Sequence, residues 1–286
     1  MSTKNTSVLF QVVETETSLQ FEVFTTTNTL DMSTEISTHH TVSVQSVLPN
    51  IPSDARWDQK EITVAGGHER GNATNQLSYP YGLFIDDDDE ATIITDYSNH
   101  RIVKWKIGEK SGHIVAGGNG QGDRPYQLSY PTDAIGEKSG ILVAGGFGEG
   151  RGLKQLNCPT YLFVDQHQTV YESDSLNHRV MKWNTGVKEG IIVAGGRNVS
   201  NARAELWDPK GVFVDASGIV YIADVYNHRV IRWPQGAKQG TVIVGGNDVG
   251  ARENQFNELG DLSFDQHGNL YTVDHRNHRI QRFSLK

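Results

Sequence analysis

Four histidines recur in the sequence with the same neighbours, and imidazole is a common metal ligand in proteins. They lie in four ten-residue segments, which are Asp96–Trp105 (DYSNHRIVKW), Asp174–Trp183 (DSLNHRVMKW), Asp224–Trp233 (DVYNHRVIRW) and Asp274–Phe283 (DHRNHRIQRF). Because each histidine belongs to a different copy of the segment, we expect the four side chains to lie far apart, where they cannot bind one ion together. The sequence therefore predicts structural turn residues, no metal site and no cofactor.

The same segments carry an acid and a base at fixed spacing. An aspartate followed five residues later by an arginine predicts an ion pair across the turn, which we call the Asp–Arg brace. No Ser-His-Asp triad or phosphate-binding loop can be identified by spacing, so we expect a protein that is not an enzyme. The repeated residues are Asp96, Asn99, His100 and Arg101; Asp174, Asn177, His178 and Arg179; Asp224, Asn227, His228 and Arg229; and Asp274, Asn277, His278 and Arg279.

The segments define an internal repeat, which takes precedence over local signals in assigning the fold. His178 and His228 are 50 residues apart, as are His228 and His278, whereas His100 and His178 are 78 residues apart. The unit after Gly196 contains four short runs rich in β-branched residues and bounded by glycine, proline, asparagine or aspartate, which are Val212–Asp215, Ile219–Asp224, Arg229–Trp233 and Thr241–Val244. Four antiparallel strands in such a period are typical of a β-propeller blade, so the sequence predicts an all-β fold.

The two ends of the repeat region predict how the last blade is completed. We name the strands of a blade a to d from the centre outwards. Ile62–Gly67 is a d strand with no a, b or c strand before it, and Ile280–Phe283 is a c strand with no d strand after it. We expect the two to pair, because pairing covers two exposed strand edges.

The Asp-x-x-Asn-His-Arg pattern, with an apolar and then an aromatic residue after it, resembles the NHL repeat over Trp57–Lys286. The resemblance implies an NHL-type β-propeller, usually with six blades. NHL propellers also serve as substrate- or RNA-recognition parts of ubiquitin ligases, but Cys158 is the single cysteine here, so RING and B-box zinc sites are excluded. A peptidyl-hydroxyglycine lyase resembles this fold and uses histidine-bound zinc near the axis, whereas the axial strands here contain no histidine.

One repeat is shorter than the others. The Gly-Gly pairs of successive units are 51, 28, 50 and 50 residues apart, and their second glycines are Gly67, Gly118, Gly146, Gly196 and Gly246. Most of strand a and all of strands b and c are missing from the short unit. We therefore predict four complete blades plus a truncated one, and interpret the junction near Ala134–Ile135 as the trace of a deletion or splicing event.

A change of composition divides the chain into two parts. Serine and threonine make up 18 of the first 50 residues, whereas all 30 glycines lie at or after Gly66. We predict a flexible segment over residues 1–53 and the propeller over residues 54–286. Alternating polarity at residues 8–13 and 19–24 leaves strands open as an alternative. No secretory signal or membrane-spanning segment is visible, and the sequence indicates no compartment.

The loops between strand d of one blade and strand a of the next have fixed length and variable sequence, as expected of a binding surface on a rigid scaffold. Their arginines would suit a carboxylate, phosphate or acidic peptide, although most have an acidic neighbour that could pair with them. The net charge of −8 argues against RNA as the main partner. We predict non-catalytic binding of a protein or peptide, with substrate or RNA recognition in a ubiquitin-ligase assembly as the alternative. The loop arginines are Arg70, Arg124, Arg151, Arg197, Arg203 and Arg252.

Overall fold

The computed structural model describes residues 6–15, 18–27, 42–43, 48–87, 90–122, 127–129, 131, 144, 149–165, 167, 169–196 and 202–286. In this part of the chain no helix is long and apolar enough to cross a membrane. The junction near Ala134–Ile135, and with it the predicted truncated blade, lies outside the described residues.

The N-terminal part of the chain contains three strands, which are β1 (Thr6–Thr15), β2 (Ser18–Thr27) and β3 (Val42–Ser43). They form an antiparallel sheet in the order β1-β2-β3, in which Phe10 is opposite Val23. The two stretches of alternating polarity, residues 8–13 and 19–24, lie within β1 and β2. The flexibility of residues 1–53 stays a prediction.

Four further sheets contain four antiparallel strands each and are the blades of the propeller. Blade 1 consists of β5 (Pro80–Asp86), β6 (Ala91–Asp96), β7 (Arg101–Lys106) and β8 (His113–Gly117). Blade 2 consists of β9 (Pro159–Val164), β10 (Val170–Asp174), β11 (Arg179–Trp183) and β12 (Ile191–Gly195). Blade 3 consists of β13 (Pro209–Val214), β14 (Val220–Asp224), β15 (Arg229–Trp233) and β16 (Thr241–Gly245). Blade 4 consists of β17 (Leu259–Phe264), β18 (Leu270–Asp274), β19 (Arg279–Phe283) and β4 (Ile62–Gly66).

The strand order within each blade follows the chain, except that β4 lies next to β19 in blade 4. The predicted completion of the last blade by the first propeller strand is therefore confirmed. Beside this pairing, Gly67 N donates to His278 O at 3.0 Å. β4 is thus the outermost strand of blade 4.

The chain divides into two compact units. One contains Met1–Leu48, Thr63–Gly140 and His275–Gln281, and the other contains Pro49–Ile62, Ile141–Asp274 and Arg282–Lys286. Blade 1 belongs to the first unit, and blades 2 and 3 belong to the second.

The turn between strands b and c depends on a histidine in the left-handed backbone conformation. His178 and His228 have φ values of 56° and 48°. The carbonyl of His178 accepts the N–H of Gly196 at 2.9 Å. A side chain at Gly195, where φ is +67°, would collide with that carbonyl and with Leu206, so this position requires glycine. These contacts explain why Asn-His and Gly-Gly recur together at fixed spacing.

Blades 2 and 3 pack through a continuous apolar core. Tyr171 of blade 2 is buried in one cluster with Val212 and Val214 of blade 3. The ring centroids of Phe163 and Phe213 are 5.1 Å apart across the same boundary. Full burial of each aliphatic side chain contributes about 1.5–3 kcal/mol. Burial between the blades therefore stabilises their association.

The segment before β4 packs on blades 3 and 4. The Trp57 ring lies 6.2 Å from Tyr221 and 5.9 Å from Phe264, measured between centroids. Its Nε1 atom donates to Gly268 O at 2.9 Å. Ile51 is also buried, so the packed part of the chain already includes residues before position 54.

Candidate functional site

In blades 1 to 3, one arginine binds the loop before the blade to the b–c turn of that blade. In blade 1, Arg101 Nε donates to Asp96 Oδ2 at 2.7 Å. The two Nη atoms of Arg101 donate to the carbonyls of Asn72, Ala73 and Gln76 at 2.8 to 3.1 Å. Because a guanidinium offers five N–H donors in a rigid plane, one side chain can hold the carboxylate and three loop carbonyls.

The same brace is present in blades 2 and 3. Arg179 Nε lies 2.6 Å from Asp174 Oδ2, and Arg229 Nε lies 2.7 Å from Asp224 Oδ2. The second oxygen of Asp224 accepts the N–H of Trp207 at 2.7 Å. Burial raises the pKa of Asp224, while the charge of Arg229 and these hydrogen bonds favour its ionised form. The brace thus fixes the loop through its backbone.

The asparagine of the repeated segment joins the same aspartate to the loop. Asn99 Nδ2 donates to Asp96 Oδ2 and to Gly71 O, both at 2.8 Å. In blade 4, Asp274 Oδ1 accepts the N–H of Asn257 at 2.8 Å. Asn177 and Asn227 bind the aspartates of their own segments. In blade 4, Asn277 and Arg279 are half-buried.

The histidines contact the entry to a neighbouring strand a. His178 Nδ1 accepts the N–H of Asp208 at 3.2 Å, and His278 Nδ1 accepts the N–H of Tyr79 at 3.1 Å. His228 Nδ1 is buried without a partner among the described residues. Burial lowers the pKa of each repeat histidine, including His100, which keeps the neutral ring available as an acceptor. The described residues contain no group of three or more His, Cys, Asp or Glu side chains that could hold a metal ion.

The loop arginines differ in their surroundings. Arg70 Nε donates to Ser78 Oγ at 3.0 Å, and its guanidinium carbon lies 4.8 Å from the centroid of the Tyr79 ring. This arginine is therefore held by its own loop. Arg70 is exposed, as are Arg151, Arg203 and Arg252, whereas Arg124 and Arg197 lie outside the described residues.

An open groove of about 1140 Å³ lies on the loop face, between the b–c turn of blade 3 and the loop before blade 4. One wall is formed by Trp207 and Tyr226, whose side chains are 43% and 46% exposed. Their ring centroids are 5.4 Å apart and the rings are inclined at 53°. The groove is also lined by Asp248, Val249, Arg252 and Glu253. We call this the Trp207 groove.

The rigid frame also positions the two rings. The N–H of Trp207 is bound by the brace aspartate of blade 3, and the N–H of Tyr226 donates to Trp207 O at 3.3 Å. Sequence reasoning missed both residues. The signal that could have found Trp207 is its departure from the small polar residues in the same position of the other loops, which are Ser78, Asn157 and Asn257.

Blades of four antiparallel strands, joined by loops of fixed length, define the class of β-propellers. The family model of the NHL repeat matches residues 206–233 and 256–283, which contain strands a to c of blades 3 and 4. The chain is a β-propeller that contains NHL repeats in blades 3 and 4.

Several solved structures resemble this chain at low sequence identity. A structural genomics protein of unknown function from Bacteroides thetaiotaomicron is 12% identical with a TM-score of 0.59, over 100% of this chain and 99% of that one. A gluconolactonase from Xanthomonas campestris is 11% identical with a TM-score of 0.42, over 85% and 99%. The aldose sugar dehydrogenase of Streptomyces coelicolor is 13% identical with a TM-score of 0.48, over 82% and 100%. No curated protein sequence matches the chain.

Proposed function

We propose that this protein is a non-catalytic binding protein that takes a segment of a partner protein, or a peptide, in the Trp207 groove. The observation that carries the proposal is the exposed Trp207–Tyr226 pair on a braced frame. The other four tryptophans are buried, as expected of large apolar rings without a binding role. Tryptophan and tyrosine are enriched among residues that dominate binding energy, because they offer large contact areas at little entropic cost.

The charges of the groove favour a peptide over a phosphate backbone. Asp248 and Glu253 provide two carboxylates near the rings, against one guanidinium from Arg252. Phosphate groups would meet a net negative wall, in a chain whose net charge is −8. A segment with an aromatic residue or proline for the rings, and polar groups for the charged residues of the groove, matches this surface.

Trp207 provides its own reporter for the test. Acrylamide quenches exposed indole rings, so quenching of the wild-type protein should report mainly on Trp207. Peptides selected from a displayed library on the wild-type protein should protect this fluorescence, and Trp207→Ala or Tyr226→Ala should weaken their binding by about tenfold or more. The matched control is Leu176→Ala, since Leu176 is the exposed residue at the position of Tyr226 in blade 2. Selected peptides that bind all variants equally would refute the assignment of the groove.

The same proteins distinguish the alternatives. Binding of a single-stranded RNA oligonucleotide that weakens steeply with salt would show a phosphate reader and contradict the peptide proposal. Zinc that copurifies in a stoichiometric amount would point to lyase-like chemistry.

A further inference from the structure

His228 differs from two other repeat histidines in the bonding of its ring. The Nδ1 atoms of His178 and His278 each accept a backbone N–H at the entry to a strand a. His228 Nδ1 is buried and accepts none, and no described residue binds its Nε2 atom. His228 also lines the Trp207 groove. Its ring is therefore available to a ligand of the groove.

The burial of Nδ1 determines which nitrogen of His228 carries the hydrogen. Burial lowers the pKa of this imidazole, so the ring is neutral and only one of its nitrogens is a donor. A buried N–H without a partner is rarer in proteins than a buried acceptor without one, so the hydrogen belongs on Nε2. The two partnered histidines carry it there too, because their Nδ1 atoms are acceptors. A ligand that uses His228 must therefore offer a hydrogen-bond acceptor.

The rings of Trp207 and Tyr226 favour a ligand with compact apolar rings. Because they are inclined at 53° and their centroids are 5.4 Å apart, they form a wedge. A puckered proline ring can contact both sides of a wedge, whereas a flat ring stacks on one. Prolines also have no N–H, so a run of them offers carbonyl acceptors without adding a donor that the groove would have to satisfy. Grooves lined by aromatic residues bind such segments in the polyproline II conformation.

The carboxylates of the groove favour a basic residue beside the prolines. Asp248 and Glu253 are exposed, and neither has a hydrogen bond or ion pair from its side chain to a described residue. Both lie in the loop before blade 4 and line the groove. Two carboxylates without counterions attract an arginine or lysine of the ligand and repel an acidic one.

We propose that the Trp207 groove, whose binding role is the function proposed above, takes a proline-rich segment of a partner protein in the polyproline II conformation, with an arginine or lysine beside the prolines. The prolines pack on Trp207 and Tyr226, and His228 Nε2 donates to a proline carbonyl. The basic side chain lies near Asp248 and Glu253. Since such a segment is extended before it binds, it loses little conformational entropy on binding.

The probe is a capped peptide of one arginine followed by about six L-prolines, a length of about two turns. A peptide of the same composition with alternating L- and D-prolines cannot form the helix, and a third with citrulline lacks the charge. Protection of Trp207 from acrylamide and titration calorimetry with the full chain measure binding. The L-proline peptide should bind about tenfold more tightly than the mixed one. At low salt it should bind about threefold more tightly than the citrulline peptide.

Two variants of His228 test the donor. His228→Met and His228→Gln remove the same ring at a backbone φ of 48°, but only glutamine keeps an N–H donor. Methionine should weaken binding of the L-proline peptide by about threefold to tenfold, and glutamine by less than about twofold. Because no described residue binds Nδ1, neither variant removes a hydrogen bond of the fold.

Exposed carboxylates test the charge in variants that do not disturb the packed core. Asp248→Asn combined with Glu253→Gln should bring the ratio between the arginine and citrulline peptides to about one. Glu189→Gln, which removes an exposed carboxylate in a turn of blade 2, is the control and should leave the ratio unchanged.

Equal binding of the L-proline and mixed peptides overturns the proposal, as does an equal loss in His228→Met and His228→Gln. If library-selected peptides need Trp207 while the L-proline peptide does not bind, the peptide groove stands and its assignment to proline-rich segments is wrong. If neither kind of peptide protects Trp207, both proposals are wrong. Urea unfolding shows that each variant is folded.

Discussion

Replacing Glu172 by glutamine should stabilise the protein at alkaline pH and have little effect in acid. Burial raises the pKa of this carboxyl from 4.5 to about 8. Between these values the folded protein binds more protons than the unfolded chain, so stability is highest below pH 4.5 and falls as the pH rises through 8. Glutamine is neutral at every pH and has nearly the same shape, so it removes this dependence.

The size of the change in the free energy of unfolding follows from the change in the pKa of Glu172. A difference of 8 − 4.5 = 3.5 units, at about 1.4 kcal/mol for each unit, sets an upper limit of about 5 kcal/mol. The side chain is only half-buried and water screens part of this charge. We therefore expect Glu172→Gln to raise the free energy of unfolding by about 2–3 kcal/mol above pH 8.5 and by less than about 0.5 kcal/mol near pH 4.5.

Urea unfolding of both proteins at several pH values measures the difference directly. Other titrating groups, including the histidines, are the same in the two proteins and cancel in the comparison. Glu189→Gln is the matched control, because Glu189 lies in an exposed turn of the same blade and is paired at the surface with Lys154. A Glu172→Gln difference that is the same at pH 4.5 and 8.5 would refute the account of Glu172 as a carboxyl forced towards neutrality by burial.

Three further predictions concern the repeated turn. Arg229→Met should lower the free energy of unfolding in urea by about 3–5 kcal/mol, because it leaves the buried carboxylate of Asp224 without its counterion; a loss below about 1 kcal/mol would contradict the brace. Folding lowers the pKa of His178 below its ordinary value of 6.5, so the unfolded chain binds more protons and stability falls as the pH drops through 6.5; His178→Gln should make thermal unfolding less sensitive to pH between 7 and 5, and an unchanged sensitivity would argue against a neutral acceptor. Gly245→Ala should cost about 3 kcal/mol or more because its side chain has no space, whereas Gly236→Ala, with a similar φ but open surroundings, should cost about 1 kcal/mol, and equal losses in chemical unfolding would show that the clash is relieved.

The strand pattern of the blades could be predicted because each run carries its own signals. The run Arg229–Trp233 coincides with β15, and Thr241–Val244 extends by one residue in β16. The prediction was least accurate for strand a, since the sequence indicated that it starts at Val212 whereas β13 begins at Pro209. Pro209 pairs with Asp224 beyond an irregularity in the register, and a local pattern of β-branched residues does not reveal such a pairing.

The sequence predicted the loop face as the binding surface, but it did not predict the groove on that face. Loops of fixed length and variable sequence led to the prediction of a binding surface, which stays a prediction, and the arginines led to the prediction of an acidic ligand. The groove depends on two rings, Trp207 and Tyr226, which lie 19 positions apart in the sequence. Their contact arises when the loop and the b–c turn are joined through backbone atoms, which no side-chain pattern records.

Each brace arginine recognises carbonyl oxygens, and every amino acid has one. The brace arginine therefore fixes the backbone path of the loop and makes no contact that depends on the identity of the loop side chains. In blade 1 the three accepting carbonyls belong to residues 72, 73 and 76, so an insertion would displace an acceptor while a substitution would not. A loop held in this way can exchange its side chains by point mutation while its backbone path is kept. Glycines are the exception, because a side chain at Gly71 would collide with Gln76 in the same loop.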